Sequence, residues 1–104
     1  MSTPIRVAAT VKIDGKVLTD PAEALEPFSS EMFKQRRGHW MAIVQLSHVE
    51  RTEPGPEEDK DPSVKIRITQ IEVAGDAVTD ERLRQLLRSM YERRTSDGTF
   101  DEVA

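Results

Sequence analysis

Two histidines, His39 and His48, are the side chains in this 104-residue chain best suited to acid–base catalysis or zinc binding. Neither lies in an HExxH or HxH motif, and the chain has no cysteine, so the usual ligands of a zinc site are missing. No Walker loop, GxGxxG, GxSxG or SxxK motif is present. The sequence therefore predicts no catalytic residue, no cofactor and no metal. A small enzyme without a recognisable motif is the third of three functional hypotheses.

An acidic segment at residues 53–62 is the second feature that could do chemistry, because clustered carboxylates bind calcium. Its acids are Glu53, Glu57, Glu58, Asp59 and Asp61. Calcium loops need acids at alternate positions around a glycine turn. Here Pro54, Gly55 and Pro56 precede most of the acids instead. This pattern favours a solvated loop, extended by its own charge, over a calcium site.

Two groups of basic residues could contact phosphates or an acidic partner. One group is Lys34, Arg36 and Arg37, and the other is Arg84 and Arg88. The formal net charge of the whole chain is −4, so a general positive field for nucleic acid is absent. Contact with phosphates through these residues gives the second hypothesis, a nucleic-acid-associated accessory protein. The alternative for both groups is an ordinary solvated surface.

Alternating apolar residues predict the strands that would carry these groups. Residues 5–13 alternate, and Asp14-Gly15 then predicts a tight turn, with a short return strand at 16–18. Residues 39–52 and 63–75 predict two long antiparallel strands. The register that places Thr52 opposite Ser63 also pairs the opposite charges of Glu50 and Lys65.

In that register the apolar side of the predicted hairpin changes faces along its length. Val44 lies opposite Ile71 on one face, whereas Val49 lies opposite Ile66 on the other. An apolar patch then forms near the tip, from Val49, Val64, Ile66 and Ile68. A domain of this size has little surface with which to cover both ends. The first hypothesis is therefore a non-enzymatic protein–protein interaction or modulator protein, expected to be a homodimer, whose partner is otherwise unknown.

The C-terminal part predicts a long amphipathic helix with Thr79 as its N-cap. Its apolar stripe is Leu83, Leu86, Leu87, Met90 and Tyr91. A shorter helical segment is predicted around 20–37, with Asp20 as its N-cap. The predicted fold class is α+β, with a twisted antiparallel sheet of three to four strands and the long helix across its core face. We expect one domain over residues 1–95, which includes the acidic loop, and a flexible tail over 96–104.

The stretch VKIRITQIEVAGD, followed by LRQLLRSMYERRTSDG, resembles small uncharacterised proteins encoded by phages of actinobacteria. The resemblance covers residues 64–98, about a third of the chain. It implies an action on host or phage machinery and no particular functional residue. The N-terminus has no apolar h-region, and no apolar run approaches the ~20 residues that cross a membrane. The predicted location is the cytoplasm, which is that of the bacterial host if a phage encodes the chain, with no membrane partner.

Overall fold

The computed structural model describes residues 9–96, which form one sheet and three α-helices. The strands are β1 (Thr10–Asp14), β2 (Ala42–Thr52) and β3 (Ser63–Val73). The helices are α1 (Thr19–Leu25), α2 (Ser29–Lys34) and α3 (Ala77–Thr95), with a 3-10 turn (Glu26–Phe28) between the first two. The predicted α+β class is therefore confirmed. Most of the predicted tail and the start of the first predicted strand lie outside the described residues.

The sheet has the order β1-β3-β2, with β3 in the centre. β2 pairs antiparallel with β3, as predicted, but β1 pairs parallel with β3, so the sheet is mixed. The predicted return strand at 16–18 does not form in this structure. Since α1 already begins at Thr19, these residues connect β1 to a helix, and the helical region carries the chain across to β2.

The β2–β3 register matches the predicted one at both ends and departs from it in the middle. Ala42 pairs with Val73 at the base, and Thr52 pairs with Ser63 at the tip. Between them the register shifts by one residue after Gln45 and shifts back before Glu50. Thr69 on β3 and Val49 on β2 are the two residues left without an opposite partner. These are two β-bulges whose displacements cancel.

The two bulges correct the prediction that the apolar side of the hairpin changes faces. Leu46 pairs with Ile68, and His48 pairs with Ile66, so Val49 does not lie opposite Ile66 as expected. Each bulge absorbs one residue, so the alternation restarts on the same face. One apolar face then runs the length of the sheet. Its apolar members are Val11, Ile13, Ala42, Val44, Leu46, Val64, Ile66, Ile68, Ile71 and Val73, and His48 and Arg51 share the face toward the tip of β2.

Deleting Thr69 tests the role of this bulge, because the shorter strand keeps every apolar side chain on the same face. The deletion removes two hydrogen bonds of the Thr69 hydroxyl, one with Ser47 Oγ at 2.8 Å and one to the Gln45 carbonyl at 3.3 Å. We expect a loss of about 1–2 kcal/mol in the free energy of unfolding and a retained fold, measured by urea titration and circular dichroism. An unfolded deletion variant would contradict the assignment of Thr69 as the extra residue.

Charged and polar side chains occupy most of the opposite face of the sheet, which also carries the exposed Ile43. Arg67 of β3 donates two hydrogen bonds to Asp14 Oδ2 of β1, the one from Nε measuring 2.8 Å. Lys65 lies 3.7 Å from Glu50 of β2, as the predicted register required. These contacts tie both outer strands to β3. The face away from the apolar side therefore needs no further cover.

The pairing of Asp14 with Arg67 predicts stability that depends on pH in the acid range. The hydrogen bond from Arg67 lowers the pKa of Asp14 below its ordinary value of 3.8, and the bond from the Lys16 N–H lowers this pKa further. A lowered folded-state pKa means that the contribution is complete above the unfolded pKa and is lost as the pH falls through the folded pKa. We expect Asp14→Asn to reduce stability in urea titrations at about pH 7 and to change it little at about pH 2. Equal losses at both pH values would contradict this pairing.

Helix α1 packs against the apolar face and covers part of it. Its Pro21 and Leu25 line a small apolar concavity of about 180 Å³ together with Ile13, Ile68 and Ile71. The common lining by residues 68 and 71, three apart on β3, agrees with the bulge between them. The N-cap position of α1 is Leu18, which makes no side-chain cap, so the predicted Asp20 cap is wrong. Asp20 lies inside the first turn instead.

Helix α3 begins at Ala77, three residues earlier than the predicted Thr79 cap implies. Its N-cap is Asp76, whose Oδ1 accepts a hydrogen bond from the Thr79 N–H at 2.7 Å, so Thr79 is the residue that donates to the cap. This bond lowers the pKa of Asp76. The helix does not lie across the apolar face as predicted, and none of its residues is buried.

Candidate functional site

The apolar face of the sheet is largely open to solvent. Along β1, Val11 is 59% exposed and Ile13 is 68% exposed, and on β2 Leu46 is 51% exposed. The central strand is better covered, because Ile66 and Ile68 are half-buried between the two outer strands. The solvent-exposed parts of this face therefore lie along the two outer strands, β1 and β2, on either side of β3.

Residues 9–96 of one copy of the chain do not form a buried hydrophobic core. Within this range Pro21 is the only buried residue, and no large apolar side chain is buried. A domain of about this size ordinarily removes roughly 60% of its unfolded surface from water. The secondary structure is thus complete while the hydrophobic packing between its layers is not.

The second open apolar surface is the stripe of α3. Leu86, Leu87, Met90 and Tyr91 are each more than half exposed, and Leu83 is half-buried. The guanidinium of Arg94 lies 5.4 Å from the centre of the Tyr91 ring, at the last turns of the stripe. Sequence reasoning identified this stripe correctly but expected it to cover the sheet. The chain therefore presents two separate apolar surfaces that face water.

Three of the four residues of the predicted apolar patch lie on one face of the sheet. Val64, Ile66 and Ile68 share the apolar face, as three alternate residues of β3 must. Val49 is the unpaired residue of a bulge, and alternation from His48 places it on the opposite, polar face. The predicted patch did not include Val11 or Leu46, although both follow the period-two pattern of their strands. The sequence contains one signal of the bulge at Thr69, which is the spacing of three residues between Ile68 and Ile71. A change of face explains this spacing equally well.

A concavity of about 530 Å³ lies at the tip of the sheet and contains the one histidine of the apolar face. Its lining is Ala9, His48, Arg51, Thr52, Glu53, Pro54, Pro62, Ser63 and Val64. Arg51 lies 2.8 Å from Glu53, and both side chains are exposed, so their charges are already paired. The concavity is open to solvent, and its lining combines apolar side chains with a pair of opposite charges. Such a lining suits contact with a protein surface better than binding of a small polar substrate.

The structure places the first basic group around the end of α2. Lys34 is the last residue of that helix, and Arg36 and Arg37 occupy the turn that follows, with all three side chains exposed. The ring of Trp40 packs over Gly38, where an added Cβ would lie 2.8 Å from the ring atom Cζ3. The indole is therefore half-buried against its own turn.

The second basic group lies beside the apolar stripe of α3. Arg84 and Arg88 line a shallow concavity of about 460 Å³ together with Leu87 and Tyr91. Arg84 is already engaged, since its Nε lies 2.6 Å from Asp80 Oδ2 one turn earlier. The Asp80 carboxylate therefore offsets the repulsion between the like charges of Arg84 and Arg88, which are four residues apart on the helix. Lys34 does not line this concavity.

Within residues 9–96, no three histidine or acidic side chains lie close enough together to hold a metal ion. None of the helices in the same range has the length and hydrophobicity needed to span a membrane. Comparison with protein families, with curated proteins and with solved structures finds no match to this chain. The geometry of the two open apolar surfaces is therefore the observation on which a functional proposal must rest.

Proposed function

We propose that the protein is a non-enzymatic interaction module that assembles as a homodimer and acts as a modulator of a further protein. The observation that carries the proposal is the open apolar face of a fully formed sheet, with only Pro21 buried among residues 9–96. Exposed apolar surfaces of this extent mark places where proteins associate. A second copy is the occupant that is present whenever the chain itself is present.

The energetic reason for association is the number of apolar side chains that one copy leaves in water. Full burial of one such side chain is worth about 1.5–3 kcal/mol, so covering a half-exposed one contributes about 1 kcal/mol. The open side chains of the sheet and of α3 are Val11, Ile13, Val44, Leu46, Leu86, Leu87, Met90 and Tyr91. Their combined burial, about 8 kcal/mol, is comparable with the whole free energy of unfolding of a domain of this size.

Light scattering coupled to gel filtration tests the proposal. A homodimer has a mass of 23.6 kDa, twice the 11.8 kDa of one chain. The same sample is then mixed with single-stranded and double-stranded DNA at low and at high salt. We expect a dimer that the DNA does not shift. A monomer at all accessible concentrations would contradict the homodimer, and DNA binding that weakens steeply with salt would favour the nucleic-acid hypothesis instead.

A further inference from the structure

We propose that the two copies exchange their C-terminal helices, so that α3 of one copy lies along the apolar sheet face of the other. The last turn of α3 then meets the acidic loop, residues 53–62, of the second copy. This arrangement rests on the proposed homodimer and specifies what covers each of the two open surfaces. Both apolar surfaces are removed from water by a single contact that the two-fold symmetry repeats.

The first support comes from the connection between β3 and α3, which leaves the helix little freedom to return to its own sheet. Three residues, 74–76, join the two elements. The N–H of Ala74 still bonds to the Met41 carbonyl at 2.9 Å, and Asp76 already caps the helix. Only Gly75 remains between these two fixed points. The region of the apolar face near this end of β3, around Ile71, is lined by α1. A helix that folded back would therefore meet α1.

The second support is the match in length between the helix and the open face. Helix α3 has 19 residues and is about 28 Å long at 1.5 Å per residue. Strands β2 and β3 have 11 residues each and are about 36 Å long at 3.3 Å per residue. On the apolar face, β2 carries Ala42, Val44 and Leu46 in its base half and His48 and Arg51 toward the tip. The strand is thus long enough to lie along the whole of α3, with its apolar half against the apolar stripe. The side chains that meet are apolar on both surfaces.

The third support is complementary charge at the two ends that would come together. The loop at residues 53–62 carries five acids and one lysine, which gives a net charge of −4. The end of α3 carries Arg88, Arg93 and Arg94 with one acid, Glu92, which gives a net charge of +2. Among residues 9–96 no ion pair joins these arginines to the acidic loop of the same copy, and α3 begins at the base of the sheet whereas the loop closes the tip. A helix lying along a second copy toward its tip brings them together.

The area available agrees with a stable dimer. Eight large apolar side chains on the two surfaces are more than two-fifths exposed. Covering them, with the half-buried residues of β3 and the flanking polar side chains, buries on the order of 800 Å² per copy, the standard size of a specific interface. In the exchanged dimer, the sheet face of each copy is covered by α3 of the other copy, so that each apolar surface makes one contact. No apolar surface of comparable size is then left over on the sheet face or on the stripe.

Cross-linking between single-cysteine variants tests the exchange directly, because the chain contains no cysteine of its own. A tagged Leu46→Cys variant and an untagged Leu87→Cys variant are unfolded together, refolded and treated with a short bis-maleimide. We expect a mixed cross-linked pair that carries one tag. The matched control is Gln45→Cys, one residue away on the polar face, which should cross-link to Leu87→Cys at most one-tenth as well. A Glu57→Cys and Thr95→Cys pair reports on the orientation of the helix in the same way.

The outcomes separate the exchange from the homodimer itself. Cross-linking between two Leu46→Cys copies in preference to the mixed pair would overturn the exchange and leave a dimer formed sheet against sheet. A dimer of 23.6 kDa (two chains of 11.8 kDa) without any mixed product would also overturn the exchange alone. A monomeric Leu46→Cys/Leu87→Cys double variant that cross-links within one chain would overturn both. Failure of only the Glu57→Cys pair would overturn the orientation.

Discussion

Replacing Leu46 with aspartate is expected to convert the protein from a dimer to a monomer at micromolar concentration. Leu46 is 51% exposed in one copy, so the substitution costs the single chain little. In the proposed dimer the same position is covered, and an unpaired carboxylate there loses both the burial of leucine and its own hydration. We expect a dissociation constant raised at least about 100-fold, which corresponds to about 2.7 kcal/mol. Sedimentation equilibrium over a concentration series measures this constant.

The matched control for Leu46→Asp is Gln45→Asp. Gln45 lies on the same strand and is also exposed, but it pairs with Gln70 on the polar face. The control introduces the same side chain one residue away and should leave the dissociation constant within about threefold, or about 0.7 kcal/mol. A Leu46→Asp protein that stays dimeric, or a control that dissociates equally, would show that the apolar face is not the interface.

Replacing Leu87 with aspartate is expected to have the second largest effect. Leu87 lies in the middle of the α3 stripe and is 59% exposed within one copy. Its loss should therefore leave the helix itself nearly unchanged. In the exchanged dimer it lies against the sheet of the second copy, and we expect a dissociation constant raised about 30-fold to 100-fold, or about 2–2.7 kcal/mol. Circular dichroism of the monomer separates this effect from a loss of helix.

The matched control for Leu87→Asp is Ser89→Asp on the same helix. Ser89 lies away from the stripe, four residues before Arg93, so an aspartate there adds a favourable pair on the helix surface. We expect the control to associate like the unchanged protein. Dissociation by Ser89→Asp, or a Leu87→Asp protein with unchanged affinity, would remove α3 from the interface.

Much of the hairpin could be predicted from the sequence, because its two ends have strong pairing signals. The match of Glu50 with Lys65 and of Val44 with Ile71 gave the correct register at the tip and at the base. The two bulges could not be separated from a change of face by pattern alone. Both readings explain why apolar residues recur at an odd spacing on β3. The backbone register, which leaves Thr69 and Val49 without opposite partners, decides in favour of the bulges.

The candidate site was predicted only in part, because its remaining residues are brought together by contacts between elements that are distant in the sequence. Val64 and Ile66 belong to the open face as expected, whereas the bulge moved Val49 out of it. The parallel pairing of β1 brings Val11 and Ile13 onto this face, and no local signal specifies a neighbour that follows fifty residues later. The position of α3 relative to the sheet could not be predicted from the sequence either. An amphipathic stripe predicts that a helix packs against an apolar surface, but it does not say to which copy that surface belongs.

The dependence of thermal unfolding on protein concentration tests the central claim most directly, because it asks whether a second copy completes the fold. If two copies unfold together to two separate chains, mass action raises the unfolding midpoint as the protein concentration increases. We predict a midpoint that rises steadily over a hundredfold range of concentration, with a single cooperative transition at each. A cooperative transition whose midpoint stays constant over that range would show that one copy forms a complete core by itself, and would contradict the account.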